Sequence, residues 1–218
     1  MSVHFNATVS GDNVIITTDD GSVTIVDAKD TAITLNGVET VISEPVGVSI
    51  ENSVNSTLLA GTDLADTIAN LGSSVTIQAG GGDDIITSTG TGATIFAGDG
   101  NDEISNWSSG AIISGGNDSD TIYNGGDGAI LDGGEGDDYI SSTSTGVTIL
   151  AGEGSDTIFG SAANIIVGTA SATVDGANVI LTTDNGTVTI LDGAGASLKI
   201  NGVDTIISAE AVALSINN

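Results

Sequence analysis

The sequence of 218 residues contains no cysteine, one proline, one histidine and only two basic residues, Lys29 and Lys199. Without cysteine there is no disulfide, no thiolate metal ligand and no cysteine nucleophile. His4, the sole histidine, lies in the first predicted strand, so no Ser-His-Asp triad can be assembled. The formal net charge of −27 argues against partners that need basic patches, such as nucleic acid and anionic membrane. We therefore expect a protein that is not an enzyme and does not bind nucleic acid.

The first residues, MSVHFNATVSGDN, have no basic cluster, no apolar run and no cleavage pattern. They predict that no secretory signal peptide is cleaved from the chain, and no stretch elsewhere is long and apolar enough for membrane insertion. A cysteine-free acidic repeat protein nevertheless suits the outside of a cell. We therefore expect an extracellular or cell-surface protein that is exported without a cleaved signal.

What the sequence does contain is a strict internal period. Residues 57–164 read as six consecutive repeats of 18 residues without insertion or deletion, which begin at Thr57, Val75, Ala93, Ala111, Ala129 and Val147. In every copy the third residue is Leu or Ile and the twelfth is Ile. Because these columns are nine residues apart, each coil should have two short strands on opposite walls, each sending one aliphatic side chain inward. The period predicts an all-β fold, a parallel β-solenoid of stacked coils.

A column of aspartates carries the candidate chemistry. The tenth residue is Asp in all six copies: Asp66, Asp84, Asp102, Asp120, Asp138 and Asp156. In coils stacked about 4.8 Å apart, neighbouring carboxylates repel by about 1 kcal/mol in water and by about 3–4 kcal/mol at an effective dielectric of about 20. Residues 57–164 contain sixteen acids and no lysine or arginine, so a cation is the missing counter-charge. Calcium, with six to eight oxygen ligands at about 2.3–2.6 Å, fits this spacing better than magnesium with its smaller octahedral shell.

In most copies, glycines occupy the sixth and eighth positions of the repeat, in the corner that precedes the aspartate. A residue without a side chain allows positive φ there and lets the corner turn its carbonyl groups towards an ion. The glycines that we assign to the metal corner are Gly80, Gly82, Gly98, Gly100, Gly116, Gly134, Gly136, Gly152 and Gly154.

Four nine-residue segments of this corner resemble a known motif: AGGGDDIIT from Ala79, AGDGNDEIS from Ala97, GGEGDDYIS from Gly133 and AGEGSDTIF from Ala151. They are similar to the nonapeptide of the haemolysin-type, or repeats-in-toxin, calcium-binding family. The resemblance covers about half of the chain. It implies a right-handed parallel β-roll with calcium between the corner loops of successive coils, held by aspartate side chains and loop carbonyls. It also implies export from bacteria by a type I secretion machine.

The sequence departs from the family pattern in two respects. The motif recurs every 18 residues rather than every nine, so we expect metal along only one edge of the roll. In the first repeat Thr62 and Leu64 replace the two glycines, which counts against a site between Asp66 and Asp84, whereas Asp118 in the fourth repeat tolerates left-handed geometry. We expect about four or five calcium ions. The alternative is that Asp and Gly only form turns, with water and monovalent ions relieving the repulsion.

Two similar modules flank the repeats. ATVSGDNVIITTDDGSVTIVD near the start matches ATVDGANVILTTDNGTVTILD near the end, and ITLNGVETVIS matches LKINGVDTIIS. Each copy predicts two β-hairpins, turned by Asp-Asp-Gly or Asp-Asn-Gly and then by Asn-Gly, the dipeptide typical of type I′ turns. We therefore divide the chain into an N-terminal β-hairpin module at residues 1–52, a calcium-binding β-roll of six to seven turns at 53–168 and a duplicate module at 169–218.

These features together predict an extracellular calcium-binding structural protein. An exposed strand edge is a template for pairing, so a solenoid must cap its ends or present them to a partner. The terminal strands VHFNATV and AVALSIN lack blocking charges and proline, so we expect a homo-polymer with head-to-tail contacts, in filaments or in a surface or biofilm matrix layer. The alternative is a monomeric module whose calcium response drives secretion and folding. Ice binding or adhesion is a minor alternative.

Overall fold

The computed structural model describes residues 5–10, 13–18, 21–25, 32–35, 38–41, 47–160, 163–194, 197–207 and 214–216. These residues form strands and turns, with no helix among them and therefore no helix that could cross a membrane. The chain divides into two compact units, Met1–Val46 and Gly47–Asn218.

The first unit contains a three-stranded antiparallel sheet and a separate two-stranded hairpin. Its strands are β1 (Phe5–Ser10), β2 (Asn13–Thr18), β3 (Gly21–Ile25), β4 (Ala32–Leu35) and β5 (Val38–Val41). They are rich in Val, Ile and Thr, which suit a pleated surface. The predicted β2–β3 and β4–β5 hairpins are confirmed, and β1 adds a third antiparallel strand. The turn residues Asp19, Asp20, Asn36 and Gly37 lie outside the described residues.

The second unit begins with a parallel β-solenoid in which each coil gives one strand to each of two sheets. One sheet contains β6 (Ser49–Asn52), β8 (Thr67–Asn70), β10 (Ile85–Ser88), β12 (Glu103–Asn106), β14 (Thr121–Asn124), β16 (Tyr139–Ser142) and β18 (Gly154–Phe159). The other contains β7 (Leu58–Ala60), β9 (Thr76–Gly81), β11 (Thr94–Asp99), β13 (Ile112–Asn117), β15 (Ile130–Glu135), β17 (Thr148–Leu150) and β19 (Asn164–Ile166). The predicted all-β solenoid is therefore confirmed.

The pairing register follows the repeat. Ile86 lies beside Ile68 on one side and Ile104 on the other, each one repeat away. The parallel stack starts ahead of the first complete repeat, because Ser49–Asn52 pairs in the same register with Thr67–Asn70. This strand lies before residue 53, where the sequence predicts that the roll begins.

The sixth coil departs from the predicted period. Thr148 pairs with Asn164 and Ile149 with Ile165, so this coil is two residues shorter than the other five. The prediction of six complete 18-residue repeats over 57–164 is therefore wrong at its end. Ala163 already occupies the first position of the seventh coil, where it is buried like the alanines of the earlier coils.

The C-terminal module extends both sheets. Its strands are β20 (Ala170–Asp175), β21 (Asn178–Thr183), β22 (Gly186–Ile190), β23 (Ser197–Ile200), β24 (Val203–Ile206) and β25 (Leu214–Ile216). β22 pairs in parallel with β18, and β23 pairs in parallel with β19. Asn201 and Gly202, which join β23 to β24, have φ of 50° and 79°, as a type I′ turn requires. The module is a direct continuation of the roll.

The core is a thin slab between the two sheets. The third and twelfth positions point inward as predicted, and they are completely buried apart from Leu59, which is 8 % exposed. Small residues at the first and fifth positions, such as Val75 and Ala79, fill the space beside them. Because every coil contributes the same side chains, burial of these columns stabilises the stack uniformly along its axis.

Candidate metal centre

The six aspartates of the tenth position form one buried column inside the glycine-rich corner. Each is at most 2 % exposed. In the five later coils, Oδ1 accepts a hydrogen bond from the backbone N–H of the aspartate one coil earlier, at 2.7–3.1 Å. The carboxylates therefore link successive coils and do not extend into solvent.

The second carboxylate oxygen of the same five residues has no partner. Among the residues that the structure describes, Oδ2 is buried and accepts no hydrogen bond in Asp84, Asp102, Asp120, Asp138 and Asp156. Burying a polar atom without a partner costs about 1–3 kcal/mol, and more for a charged group. A carboxyl group in such a position is stabilised by a proton, by a cation or by a bound water.

Burial dominates the electrostatics of the column. It raises the pKa of Asp102 and of Asp156 to about 6, and that of Asp120 and of Asp138 to about 7. The pKa of Asp84 is raised as well, again mainly by burial. The backbone N–H bond to Oδ1 opposes these increases, and neighbouring carboxylates add to them. Asp120 and Asp138 therefore take up protons close to neutral pH, unlike ordinary surface aspartates.

Asp66 differs from the other five. Its Oδ2 accepts the backbone N–H of Thr62 at 2.6 Å, and its Oδ1 accepts the Thr62 hydroxyl at 3.1 Å. The first corner thus satisfies its own carboxylate with the threonine that replaces the usual glycine. The expectation that the first corner is the weakest candidate for a metal site stays a prediction.

All nine glycines that the sequence assigns to this corner have positive φ, between 89° and 130°. Asp118, which stands in the eighth position of the fourth coil, also adopts positive φ, at 73°. The sixth position has a second constraint, since a Cβ on Gly98 would overlap the carbonyl oxygen of Gly80 in the preceding coil. Glycine is therefore required both by conformation and by the close approach of successive corners.

The carbonyl groups of the corner already take part in pairing between coils. Thr62 O accepts the N–H of Gly81 at 2.9 Å, and Gly134 O accepts the N–H of Glu153 at 2.8 Å. A carbonyl oxygen has two lone pairs, so each retains acceptor capacity for a cation. The predicted direction of these carbonyls towards an ion stays a prediction.

Valine ends the aspartate column at both of its ends. Val188 pairs with Asp156 in the C-terminal module, and Val48, which precedes Ser49, stands beside Asp66. Val48 supplies only its backbone N–H, which bonds to Oδ1 of Asp66. An apolar residue in each flanking coil limits the column to six carboxylates.

The structure contains a second buried ladder that the sequence reasoning missed. The fourteenth position, at the opposite corner, carries Asn or Ser in five successive repeats. Asn106 Nδ2 donates to Oδ1 of Asn124 in the next coil at 2.7 Å, and also to the carbonyl oxygen of Ser108 in its own turn at 2.8 Å. Neutral amide and hydroxyl groups thus link neighbouring coils at this corner, as carboxylates do at the other. The regular column of Asn and Ser could have predicted this ladder from the sequence. It does not stand out there because the whole corner is polar.

Among the described residues, no group of three or more His, Cys, Asp or Glu side chains lies close enough together to hold a metal. A cation in the glycine-rich corner would therefore depend on one aspartate from each adjoining coil together with backbone carbonyls. No protein-family model matches the chain, and comparison with curated proteins gives no significant match.

Proposed function

We propose that residues 53–168 form a calcium-binding β-roll of the haemolysin-type (repeats-in-toxin) family and that the protein is an extracellular structural repeat protein. The observation that carries this proposal is the run of five buried Oδ2 atoms without a hydrogen-bond partner in successive coils. These atoms belong to a stretch with sixteen acids and no basic residue. Buried carboxylates need a positive partner to remain ionised.

The aspartates from Asp84 to Asp156 would hold the ions, together with carbonyl groups of the glycine-rich corner. Calcium, when bound, supplies the positive charge that lets neighbouring carboxylates stay ionised. The chain's own contribution is to hold one carboxylate oxygen per coil on a backbone N–H and to leave the other free. We expect about four or five ions, on this edge alone, because the opposite corner is closed by neutral amides.

We also propose that the protein is not an enzyme and that it acts outside the bacterial cell, with type I-like export. Identical acids on successive coils describe a row of equivalent sites, whereas an active site needs groups with different roles. Calcium affinities of extracellular modules are low, about 10⁻⁴–10⁻³ M, and sites with a single carboxylate from each coil accord with such an affinity.

Calorimetric counting of bound calcium tests the one-edged assignment. Asp102→Asn removes a ligand that faces the coils above and below, so we expect the loss of about two ions. Asp127→Asn is the matched control, because Asp127 lies on the opposite, polar corner and is hydrogen-bonded to Thr145. Equal losses from the two variants would show that the metal is not confined to the glycine-rich corner.

We propose that copies associate end to end through their terminal modules. Of the strands that the structure describes, β1 is outermost in its three-stranded sheet, and β25 and β24 are outermost at the C-terminal end of the two long sheets. Light scattering should show calcium-dependent polymers of the full chain, and deletion of residues 1–8 should abolish them while calcium binding is retained. A wild-type chain that stays monomeric at high concentration in millimolar calcium would instead support a monomeric folding module.

A further inference from the structure

The two terminal modules share strand register as well as sequence. Val14 lies opposite Ile25 in the β2–β3 pair, as Val179 lies opposite Ile190 in the β21–β22 pair. The hairpins correspond in the same way: Ala32–Leu35 pairs with Val38–Val41, and Ser197–Ile200 pairs with Val203–Ile206. In all these pairs, each residue of the first unit precedes its counterpart in the C-terminal module by the same number of residues. The first unit is therefore a second copy of the C-terminal module in its strands and pairings.

In the C-terminal module, two of these strands dock on the last coils of the roll. β22 pairs in parallel with β18, with Thr187 beside Ser155, and β23 pairs with β19. The contact is close, because a Cβ on Gly186 would overlap the carbonyl oxygen of Gly154. The first unit has Gly21 at the position that corresponds to Gly186.

Among the strands that the structure describes in the first unit, the corresponding edges of β3 and β4 pair with no further strand. β3 uses one edge to pair with β2, in the register that β22 uses with β21, and it is an outer strand of its sheet. The other edge of β3 corresponds to the edge of β22 that pairs with β18. β4 likewise pairs with β5 as β23 pairs with β24. These two edges are therefore shaped for the C-terminal end of a roll, which is where their duplicates bind.

We propose that Met1–Val46 of one copy docks on the last coil of a second copy, in place of that copy's C-terminal module. The last coil of its own chain is out of reach. Seven strand spacings separate β6 from β22, about 34 Å, whereas the six residues from β5 to Gly47 span at most about 22 Å. Exchange between copies costs little, because an equivalent element replaces the one that leaves. This inference rests on the proposed end-to-end assembly, but its contact is made by β3 and β4 rather than by the outer strands β1, β24 and β25.

Disulfide trapping in the full-length chain tests the contact. The protein has no cysteine of its own, so Ser22→Cys and Ser155→Cys each introduce a single thiol. Ser22 corresponds to Thr187, the partner of Ser155, and neighbouring strands place such Cα atoms about 4.8 Å apart, within the range that a disulfide spans. After the two variants are mixed in calcium and oxidised, we expect a covalent dimer that contains one of each.

Two controls make the outcome decisive. Ser119→Cys occupies the same ninth position as Ser155 but in the fourth coil, where the next coil covers the edge. Its mixture with Ser22→Cys should therefore give severalfold less dimer.

A chain with both Ser155→Cys and Thr187→Cys should form an intramolecular disulfide, which verifies the geometry. If that chain closes and the two mixtures give equal dimer, module exchange is overturned. Polymers that form without this cross-link would overturn it while leaving end-to-end assembly standing.

Discussion

Removal of calcium at neutral pH is expected to unfold the roll. Without a cation, five buried Oδ2 atoms have no hydrogen-bond partner, and an ionised carboxylate there opposes the stacking of coils. With calcium, an ion that binds only the folded form contributes about 2.7 kcal/mol per site at a hundredfold excess over its dissociation constant. Several such sites together match the whole stability of an ordinary domain, about 5–15 kcal/mol. Circular dichroism and thermal melting, with and without a chelator, measure the effect.

Magnesium is the matched control for this experiment. Since it demands a smaller octahedral shell and retains its waters, it should restore less of the β-sheet signal than the same concentration of calcium. An unchanged β-sheet signal and an unchanged melting temperature in excess chelator would contradict the metal proposal. The aspartates and glycines would then serve only the turns.

The sequence was sufficient to predict the coil. Its two aliphatic columns are half a repeat apart, so both are buried when two strands on opposite walls of each coil point them inward. It did not reveal the short sixth coil. Ala163 and Ile165 continue the pattern of small first and aliphatic third residues, but only if two residues are omitted from the polar corner. A strict 18-residue alignment conceals this change, which shows only when Ile149 is seen beside Ile165.

The candidate site was predictable in its residues and not in its geometry. A column of identical acids shows in the sequence, whereas the hydrogen bond from each backbone N–H to the next Oδ1 depends on how coils stack. The limits of the column were hidden as well. Val48 and Val188 belong to stretches without the repeat motif, and only strand pairing places them in register with Asp66 and Asp156.

The metal-free roll is expected to become more stable as the pH falls. Burial raises the folded-state pKa of Asp120 and of Asp138 to about 7, while an unfolded aspartate has a pKa of about 3.9. Folding then favours the protonated form, so this stabilising contribution is complete below about pH 4 and is lost as the pH rises through about 7. Above about pH 7, each unit by which a folded-state pKa exceeds the unfolded value lowers the free energy of unfolding by about 1.4 kcal/mol. In chelator, a chain that is unfolded at about pH 8 should regain its β-sheet signal at about pH 5, still above the sequence pI of about 4.1.

Two substitutions separate this effect from general acid behaviour. Asp120→Asn replaces the buried carboxyl by a neutral group of the same shape, so it should raise the melting temperature of the metal-free chain at neutral pH and reduce the gain from calcium. Asp127→Asn should do neither, because Asp127 is fully exposed and the backbone N–H of Thr145 holds its pKa below the usual value. With calcium present the pH dependence should reverse, since protonation then displaces the ion. A metal-free chain whose melting temperature falls steadily from about pH 8 to about pH 5 would show that the buried column does not carry the raised pKa values on which this expectation rests.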